Sequence, residues 1–456
     1  MRKVFFCVLS KDIIRRNIYD TEFWPEFCRQ TKGVVKVLIV PEEDLSVYVK
    51  DFQQDGVIVE GYEKVSWKRW SKFVIFLVRN GINSHSTRTY RWRAYSTGNA
   101  TLVVTLVKEV ISQTLGRSSF YKGLIRMLVK RLPTSVALND LFEKYKPISV
   151  FAPSLIDLDF DVPVSVLARR KGIPIVGMVR SWDNLNNHGL LAFYPDKFIV
   201  QNEWLKTATS LYQGVGKNNL PKDIVGLPHY DSYKKPSRYI KPREEFFNSL
   251  GLDYKKKLIL LGGSDFYYSE DSLPKKLNVA IDSGVIKENV QVVFRPHPRS
   301  LFSIDDYKLG GMKNVILDDA FSGDSLFTDA EKFINLLYYS DIIVNISSTL
   351  SIDAAVFDKP AICINFDDES KRLSKNQQVH RLYDSFDHYE RLVATGGVRT
   401  PGSFDKFICD INEYLDDSSL DREGRQEIIK LFVSPFDGVS GVRLASIVRQ
   451  HLDSVV

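Results

Sequence analysis

Cysteine is scarce in this chain. Four residues in 456, at positions 7, 28, 363 and 409, with no C-x-x-C and no metal-ligand spacing, exclude a disulfide framework or a zinc module and point to a reducing cytosol. Cys7 and Cys363 fall inside apolar runs, where a thiol serves as a small buried hydrophobe. Long apolar stretches are missing too: no window approaches the ~18 uninterrupted apolar residues that a membrane span needs. The opening run Val4 to Leu9 ends at Ser10-Lys11-Asp12 without a small-residue cleavage site, so it reads as a first buried strand and not as a signal peptide. Repeats and low-complexity tracts are absent. With 44% hydrophobic and 26% charged residues the composition is that of a soluble globular protein, and 456 residues fit two domains better than one core. No D-x-D run lies at a predicted strand end. Asp157-Leu158-Asp159 and Asp159-Phe160-Asp161 sit in a Pro-bounded loop before a helix, so neither a metal nor a resident cofactor is expected.

Acid is what residues 64 to 131 lack. They carry 14 Lys/Arg against the single Glu109, a net of +13 in a chain of net +6, so the remainder is acidic. Trp67, Trp70, Phe73, Phe76, Tyr90, Trp92, Tyr95, Phe120 and Tyr121 are interleaved with these charges. The segment reads as a mainly helical insertion whose basic, aromatic character suits an anionic membrane surface. A solvated basic face is the plainer alternative. The acidic remainder argues against nucleic acid as a partner.

What is present is an alternation of short apolar runs and helical stretches, the pattern of parallel sheets with crossover helices. Predicted strands are Val4 to Leu9, Val35 to Val40, Gly56 to Val59, Ser149 to Ala152, Ile173 to Val179, Lys197 to Val200 and Ile224 to Gly226. A Lys/Pro/Ser/Tyr-rich connection follows, and then Leu258 to Leu261, Val290 to Phe294, Val315 to Leu317, Ile342 to Asn345 and Ala361 to Ile364. The fold class is therefore α/β: two doubly wound Rossmann-like domains, 1–235 and 236–440, facing across a cleft, with the basic helical insertion 64–131 in the first. Ligands of such sheets bind outside the carboxyl ends of the strands.

The most specific stretch runs from Ser340 to Asp367, with Arg-Pro-His-Pro at 295 to 298 one βα unit upstream. A buried strand leads into the hydroxyl turn Ser347, Ser348 and Thr349 and then a helix, Leu350 to Phe357, whose unpaired N–H groups and hydroxyls suit phosphate oxygens. Arg295 and His297 end another strand that can lie alongside, and Gly263 and Ser264 end a third, where small residues let a ligand approach the backbone. Structural ion pairing for Arg295 and a plain tight turn at Gly262-Gly263 are the alternatives.

At these residues the chain resembles nucleotide-sugar enzymes of the GT-B fold. Counted back from Pro360, Asp353 falls where nucleotide-sugar 2-epimerases and the lipid-intermediate N-acetylglucosaminyltransferase carry an acid that binds ribose hydroxyls, and 347 to 349 falls on their Ser/Gly phosphate loop. The spacing of Asp341, Ser347, Ser348, Asp353 and Pro360, the Arg-x-His-Pro element, and Asp437, Gly438 and Arg443 also resemble the glycerophosphotransferases that use CDP-glycerol. Gly226-Leu-Pro-His-Tyr-Asp231 resembles the G-x-P-x-x-D of many GT-B proteins. The resemblance covers roughly 255 to 445 and implies that helix 441–456 returns to the first domain. The turn lacks the paired glycines of the epimerases, and no His-Gly precedes His188-Gly189, which counts against the glycerophosphotransferases.

In the first domain, transfer to a hydroxyl requires a general base, and Asp183 or His188 in the loop after Ile173 to Val179 are the candidates. Arg180, Trp182 and Asn184 from that loop and Arg15, Arg16 and Asn17 from the loop after the first strand are candidate acceptor-side residues. Turn shaping is the alternative for Asp183 and Asn184. Together these readings imply a glycosyltransferase that uses a nucleotide-activated sugar as co-substrate to extend a cell-surface polysaccharide or lipid-linked glycan. Its expected place is the cytoplasm, peripheral on the inner face of the plasma membrane. The alternatives are a CDP-glycerol or CDP-ribitol type polyol phosphotransferase and a non-enzymatic basic protein that binds membrane or RNA.

Overall fold

The computed structural model describes residues 3–264, 267–287, 289–297, 300, 302–318 and 330–455. They fall into two compact units, one from Met1–Arg88, Leu102–Lys234 and Phe432–Val456, the other from Thr89–Thr101 and Lys235–Leu431.

The first unit is built on seven strands, β1 (Lys3–Val8), β2 (Val34–Pro41), β3 (Val57–Tyr62), β4 (Ser149–Ala152), β5 (Ile175–Gly177), β6 (Lys197–Val200) and β7 (Asp223–Ile224), in the order β3-β2-β1-β4-β5-β6-β7. Every pairing is parallel. Such strands are buried on both faces, which is why they read as continuous apolar runs. Phe5, Cys7, Leu38 and Val40 pack with Phe23 and Phe27 and with Leu444, Val448 and Leu452 of the last helix, Ser440–Ser454. Lys36 interrupts β2, and it is accommodated because its Nζ donates to Thr31 O at 2.9 Å.

Two strand limits differ from expectation for backbone reasons. Gly56 has φ +76° and belongs to a turn, so β3 starts at Val57 and continues to Tyr62. Gly226, at φ +84°, likewise lies beyond β7. A side chain at Gly226 would collide with Ser440 and Pro435. Asp231 of the same phrase accepts hydrogen bonds from the main-chain N–H groups of Ser440 (3.0 Å) and Gly441 (2.8 Å). The Gly226 to Asp231 phrase thus anchors the start of the last helix, and Arg443 secures it further by pairing with Asp437 and donating to Val225 O at 2.7 Å.

The insertion is helical: Arg69–Arg79, His85–Ser96, Leu102–Thr114 and Ser119–Val129. Val74, Val78, Ile125 and Val129 pack against Val162 and Val166, which fastens the first and last of these helices to the first unit. The expectation of one insertion belonging wholly to the first domain is corrected for 89–101, which groups with the second unit. The reason is local packing: the Tyr90 ring lies 5.2 Å from that of Phe386, and Asn376 Nδ2 donates to Ser96 Oγ at 3.0 Å. Among the described residues no helix is long and apolar enough to cross a membrane.

The second unit holds β8 (Lys257–Gly262), β9 (Val290–Arg295), β10 (Val315–Leu317), β11 (Ile342–Asn345) and β12 (Ala361–Cys363), all parallel, in the order β10-β9-β8-β11-β12. The chain moves outward from β8 to β10 and then restarts at β11 on the other side. The switch point, where a doubly wound sheet opens a crevice, therefore lies between β8 and β11. Asp341 serves the β8–β11 pairing by exchanging hydrogen bonds with Leu258 at 2.8 Å, and Pro360 serves the β11–β12 pairing, its O accepting from Ile343 N at 2.9 Å.

Candidate functional site

The order β9-β8-β11 sets three candidate groups side by side at the carboxyl edge of the second sheet. Arg295 and His297 follow β9, Gly263 and Ser264 follow β8, and Ser347, Ser348 and Thr349 follow β11. They meet closely at the centre. Gly263 N donates to Arg295 O at 2.8 Å, and a Cβ on Gly263 would lie 2.7 Å from His297 N. A Cβ on Gly262 would lie 2.5 Å from Leu350, the first residue of the helix after the hydroxyl turn. Gly263 is thus required by close approach to the neighbouring backbone, whereas at Gly262 the contact is with the end of a leucine side chain. Pro298 of the Arg-Pro-His-Pro element lies outside the described residues.

The hydroxyl turn is organised from below by Asn345, the polar residue that ends the apolar run of β11. Its Oδ1 accepts from Ser348 N at 3.2 Å, and its amide exchanges hydrogen bonds with Ser351 Oγ, which in turn meets Tyr389 OH at 2.7 Å. Ser347 takes the left-handed conformation, φ +46°. Ser347 therefore holds a backbone conformation that favours glycine while carrying a hydroxyl, at a strain of order 1–2 kcal/mol. Ser348 Oγ accepts from Leu350 N at 3.3 Å. The helix that follows, Leu350–Val356, is only seven residues long, so its macrodipole is small. Asp353 lies one turn in and is buried, in contrast to an exposed helical carboxylate.

Arg295 is less available than its position suggests. Its Nη1 is 2.8 Å from Asp318 Oδ2, its guanidinium stacks 4.8 Å from the Phe333 ring centre, and Lys332 Nζ reaches Asp318 Oδ1 at 2.6 Å. One buried carboxylate thus pairs with two cations. Ser264 N donates to Glu270, a fully buried carboxylate that also accepts from Tyr307 OH at 2.5 Å and Ser300 Oγ at 3.1 Å. Glu270, Asp318 and Asn345 escaped the sequence reading. Only Asn345 left a trace there, as a polar end to an apolar run.

In the first unit the candidate residues lie on two strand ends, β1 and β5, with β4 between them. Arg15 is engaged by Asp20 at 3.0 Å and Asp51 at 2.7 Å and sits over the Tyr48 and Phe52 rings. Arg16 Nε donates to Asn17 Oδ1 at 2.8 Å, and Asn17 is buried. Trp182 is also buried, with its ring edge-on to Phe432 at 5.2 Å and its carbonyl accepting from Trp204 Nε1 at 2.8 Å. Asn184 Oδ1 accepts from Ser181 N at 3.0 Å, so these two side chains shape the loop. Asp183 is half-buried and accepts from the amides of Asn184 (3.1 Å) and Asn187 (2.9 Å), which fix its carboxylate; His188 is exposed. Arg180 is half-buried.

Between these loops lies the one after β4, read from sequence only as a poor metal site. Asp161 there is fully buried, with Oδ1 accepting from Ser154 N at 3.2 Å. Burial first, and then the neighbouring Asp157, push its carboxyl well above the ordinary carboxylate range, against the opposing pull of Ser10, Ser154 and Arg180. Asp157 pairs with Lys11 at 2.8 Å. Among the described residues no three His, Cys, Asp or Glu side chains converge as metal ligands.

Solved structures share this architecture. A putative UDP-N-acetylglucosamine 2-epimerase from Listeria monocytogenes matches with a TM-score of 0.54 at 12% identity, covering 100% of this chain and 97% of that one. The UDP-GlcNAc 2-epimerase of Methanocaldococcus jannaschii matches at 0.53 and 12%, covering 98% and 99%. That of Neisseria meningitidis, bound to UDP-GlcNAc, matches at 0.51 and 13%, covering 99% and 100%. No protein-family model matches the sequence, and no curated protein does. The chain has the two-domain α/β fold of the GT-B type that these nucleotide-sugar enzymes possess.

Proposed function

We propose that the protein is a GT-B glycosyltransferase that moves a sugar from a nucleotide-activated donor to a cell-surface polysaccharide or lipid-linked glycan. The observation that carries this reading is the hydroxyl turn, held with Ser347 left-handed at the switch point of the second sheet, next to the β8 end at Gly262, with Arg295 and His297 one strand further on. In this reading the donor diphosphate lies on Ser347, Ser348 and Thr349, with Gly263, Ser264, Arg295 and His297 around it, and Asp353 takes the ribose hydroxyls. Asp183, oriented by two amides, is the base for the acceptor hydroxyl, and His188 is the alternative. Arg16 and Arg180 attract an anionic acceptor, whereas Arg15, Asn17, Trp182 and Asn184 support their loops.

A lipid-linked acceptor is supported by the outer surface of the insertion. Trp70, Phe73, Val103, Val110 and Phe120 are exposed there, Phe120 at 83%, within the segment of net +13. Exposed apolar side chains within so basic a segment fit an anionic lipid bilayer, the inner face of a plasma membrane in this reading.

Epimerase chemistry is the second reading, favoured by the similarity to UDP-GlcNAc 2-epimerases. Incubation with UDP-, CDP-, GDP- and dTDP-sugars and CDP-glycerol, with and without membrane lipid extract, separates the possibilities by mass spectrometry. Glycosyl transfer releases a nucleoside diphosphate only with acceptor present. Polyol phosphate transfer releases CMP, and epimerisation changes the donor without acceptor. Absence of any acceptor-dependent nucleoside diphosphate release sinks the transferase reading.

A further inference from the structure

Lys36 and Lys122 are both almost wholly buried in the first unit, but only one of them is satisfied. Lys36 is 4% exposed and donates to Thr31 O at 2.9 Å. Lys122, on the Ser119–Val129 helix of the basic insertion, is 3% exposed, and among the described residues its ammonium has no hydrogen-bond or ion-pair partner. A lysine that only snorkels would leave its head in water. Its stem is placed by a glycine: a Cβ on Gly214 would lie 2.6 Å from Lys122 Cδ, and Gly214 has φ +63°.

One helical turn along, Arg126 meets the same short segment. Its Nε donates to Leu191 O at 3.0 Å and its Nη2 to Gln213 O at 2.8 Å. Gln213 ends the Glu203–Tyr212 helix, so Arg126 is accounted for as a cation on the carbonyls of a helix C-terminus. Lys122 is not. Among the described residues no carboxylate pairs with either cation. Burial first, and then the Arg126 guanidinium, lower the Lys122 ammonium to about 8, and burial lowers Arg126 to about 10.

Two cations withdrawn from water without a counter-ion are costly to keep, and an anion bound beside them offsets that cost. The polar side chains gathered at Gly214 are donors: the ammonium, the guanidinium N–H groups not taken by Leu191 and Gln213, and Ser119, whose Oγ lies 3.4 Å from where a Cβ on Gly214 would stand. Lys217 of the same loop is exposed and adds positive charge. A phosphoryl group, with three oxygens to share and up to two negative charges, suits this set better than a carboxylate.

We propose that Lys122 and Arg126, set against Gln213–Gly214, form a binding site for a phosphoryl anion in the first unit. The Glu203–Tyr212 helix runs back from the carboxyl end of β6 toward the start of β7, so Gln213 lies at the amino edge of the first sheet. The site is therefore apart from the carboxyl-edge loops, and the inference does not rest on the donor reading. The phosphoryl group belongs either to a soluble phosphate ester or to a lipid headgroup, since Phe120, 83% exposed, directly follows Ser119.

Trace acylation of the full-length wild type near neutral pH, read at Lys122 by peptide mass spectrometry, tests this. Only the free amine reacts, and an anion beside the ammonium favours the protonated form. Millimolar inorganic phosphate or glycerol 3-phosphate, at constant ionic strength, should slow acylation of Lys122 by about tenfold and leave the exposed Lys130 unchanged. Protection by monomeric dihexanoylphosphatidylglycerol but by neither soluble phosphate supports the proposal and assigns the site to a lipid headgroup. Lys122→Met should abolish the rise in melting temperature that the protecting ligand gives the wild type. Lys122 acylation unaltered by all three compounds overturns the proposal. Acetate protecting as well as phosphate overturns the phosphoryl assignment, and a Lys122→Met variant stabilised as much as the wild type overturns the role of the lysine. If that variant does not fold, the wild-type acylation decides alone.

Discussion

Burial in the first unit raises the Asp161 carboxyl well above the ordinary carboxylate range, and that has a consequence for stability. A carboxyl whose folded value lies above its unfolded value of about 3.9 binds more protons folded than unfolded. Stability is therefore lost as pH rises from the unfolded value toward the folded one, at up to about 1.4 kcal/mol per pH unit. Asp161→Asn keeps the shape and removes the ionisation. The variant should melt with the wild type near pH 4 and at a progressively higher temperature than the wild type toward pH 8. A melting difference independent of pH would contradict the burial account. None of this was legible in the sequence, because Asp157-Leu-Asp-Phe-Asp161 has no periodicity to say which carboxylate turns inward. The glycine at 263 and the hydroxyls at 347 to 349 were legible, since strand ends can be read from where apolar runs stop.

At the scale of elements, each strand was readable near its place from where apolar runs fall; the limits shifted where Gly56 and Gly226 adopt positive φ, and the run Ile173 to Val179 holds a shorter strand, Ile175–Gly177. The insertion's helices were readable as well, but not which of their faces remain uncovered. The Leu102–Thr114 helix leaves Leu102, Val103, Val107 and Val110 exposed. Burying a comparable side chain in lipid is worth roughly 1.5–3 kcal/mol, and each nearby Lys or Arg adds about 1 kcal/mol on an anionic surface. Val110→Glu with Phe120→Glu should abolish flotation with vesicles of phosphatidylcholine and phosphatidylglycerol. Wild-type flotation should weaken from 0.05 to about 0.5 M salt as the Debye length shortens. Equal binding to neutral and anionic vesicles, or none to either, would show that this face serves another purpose.

For the whole molecule, the alternation of runs and helices sufficed to read two doubly wound sheets, because parallel strands advertise their burial on both faces. Membership of residues 89–101 in the second unit could not be read, since it depends on contacts such as Tyr90 with Phe386 that join positions far apart in sequence. The central claim is that the carboxyl edge of the second sheet, at its switch point, binds a nucleoside diphosphate. Hydrogen–deuterium exchange of the full chain with and without millimolar UDP, CDP, GDP or dTDP tests it most directly. At least one of them should slow exchange in peptides covering Gly262–Ser264 and Asn345–Leu350. Exchange there unaltered by all four, or protection confined to the first unit, would contradict the account.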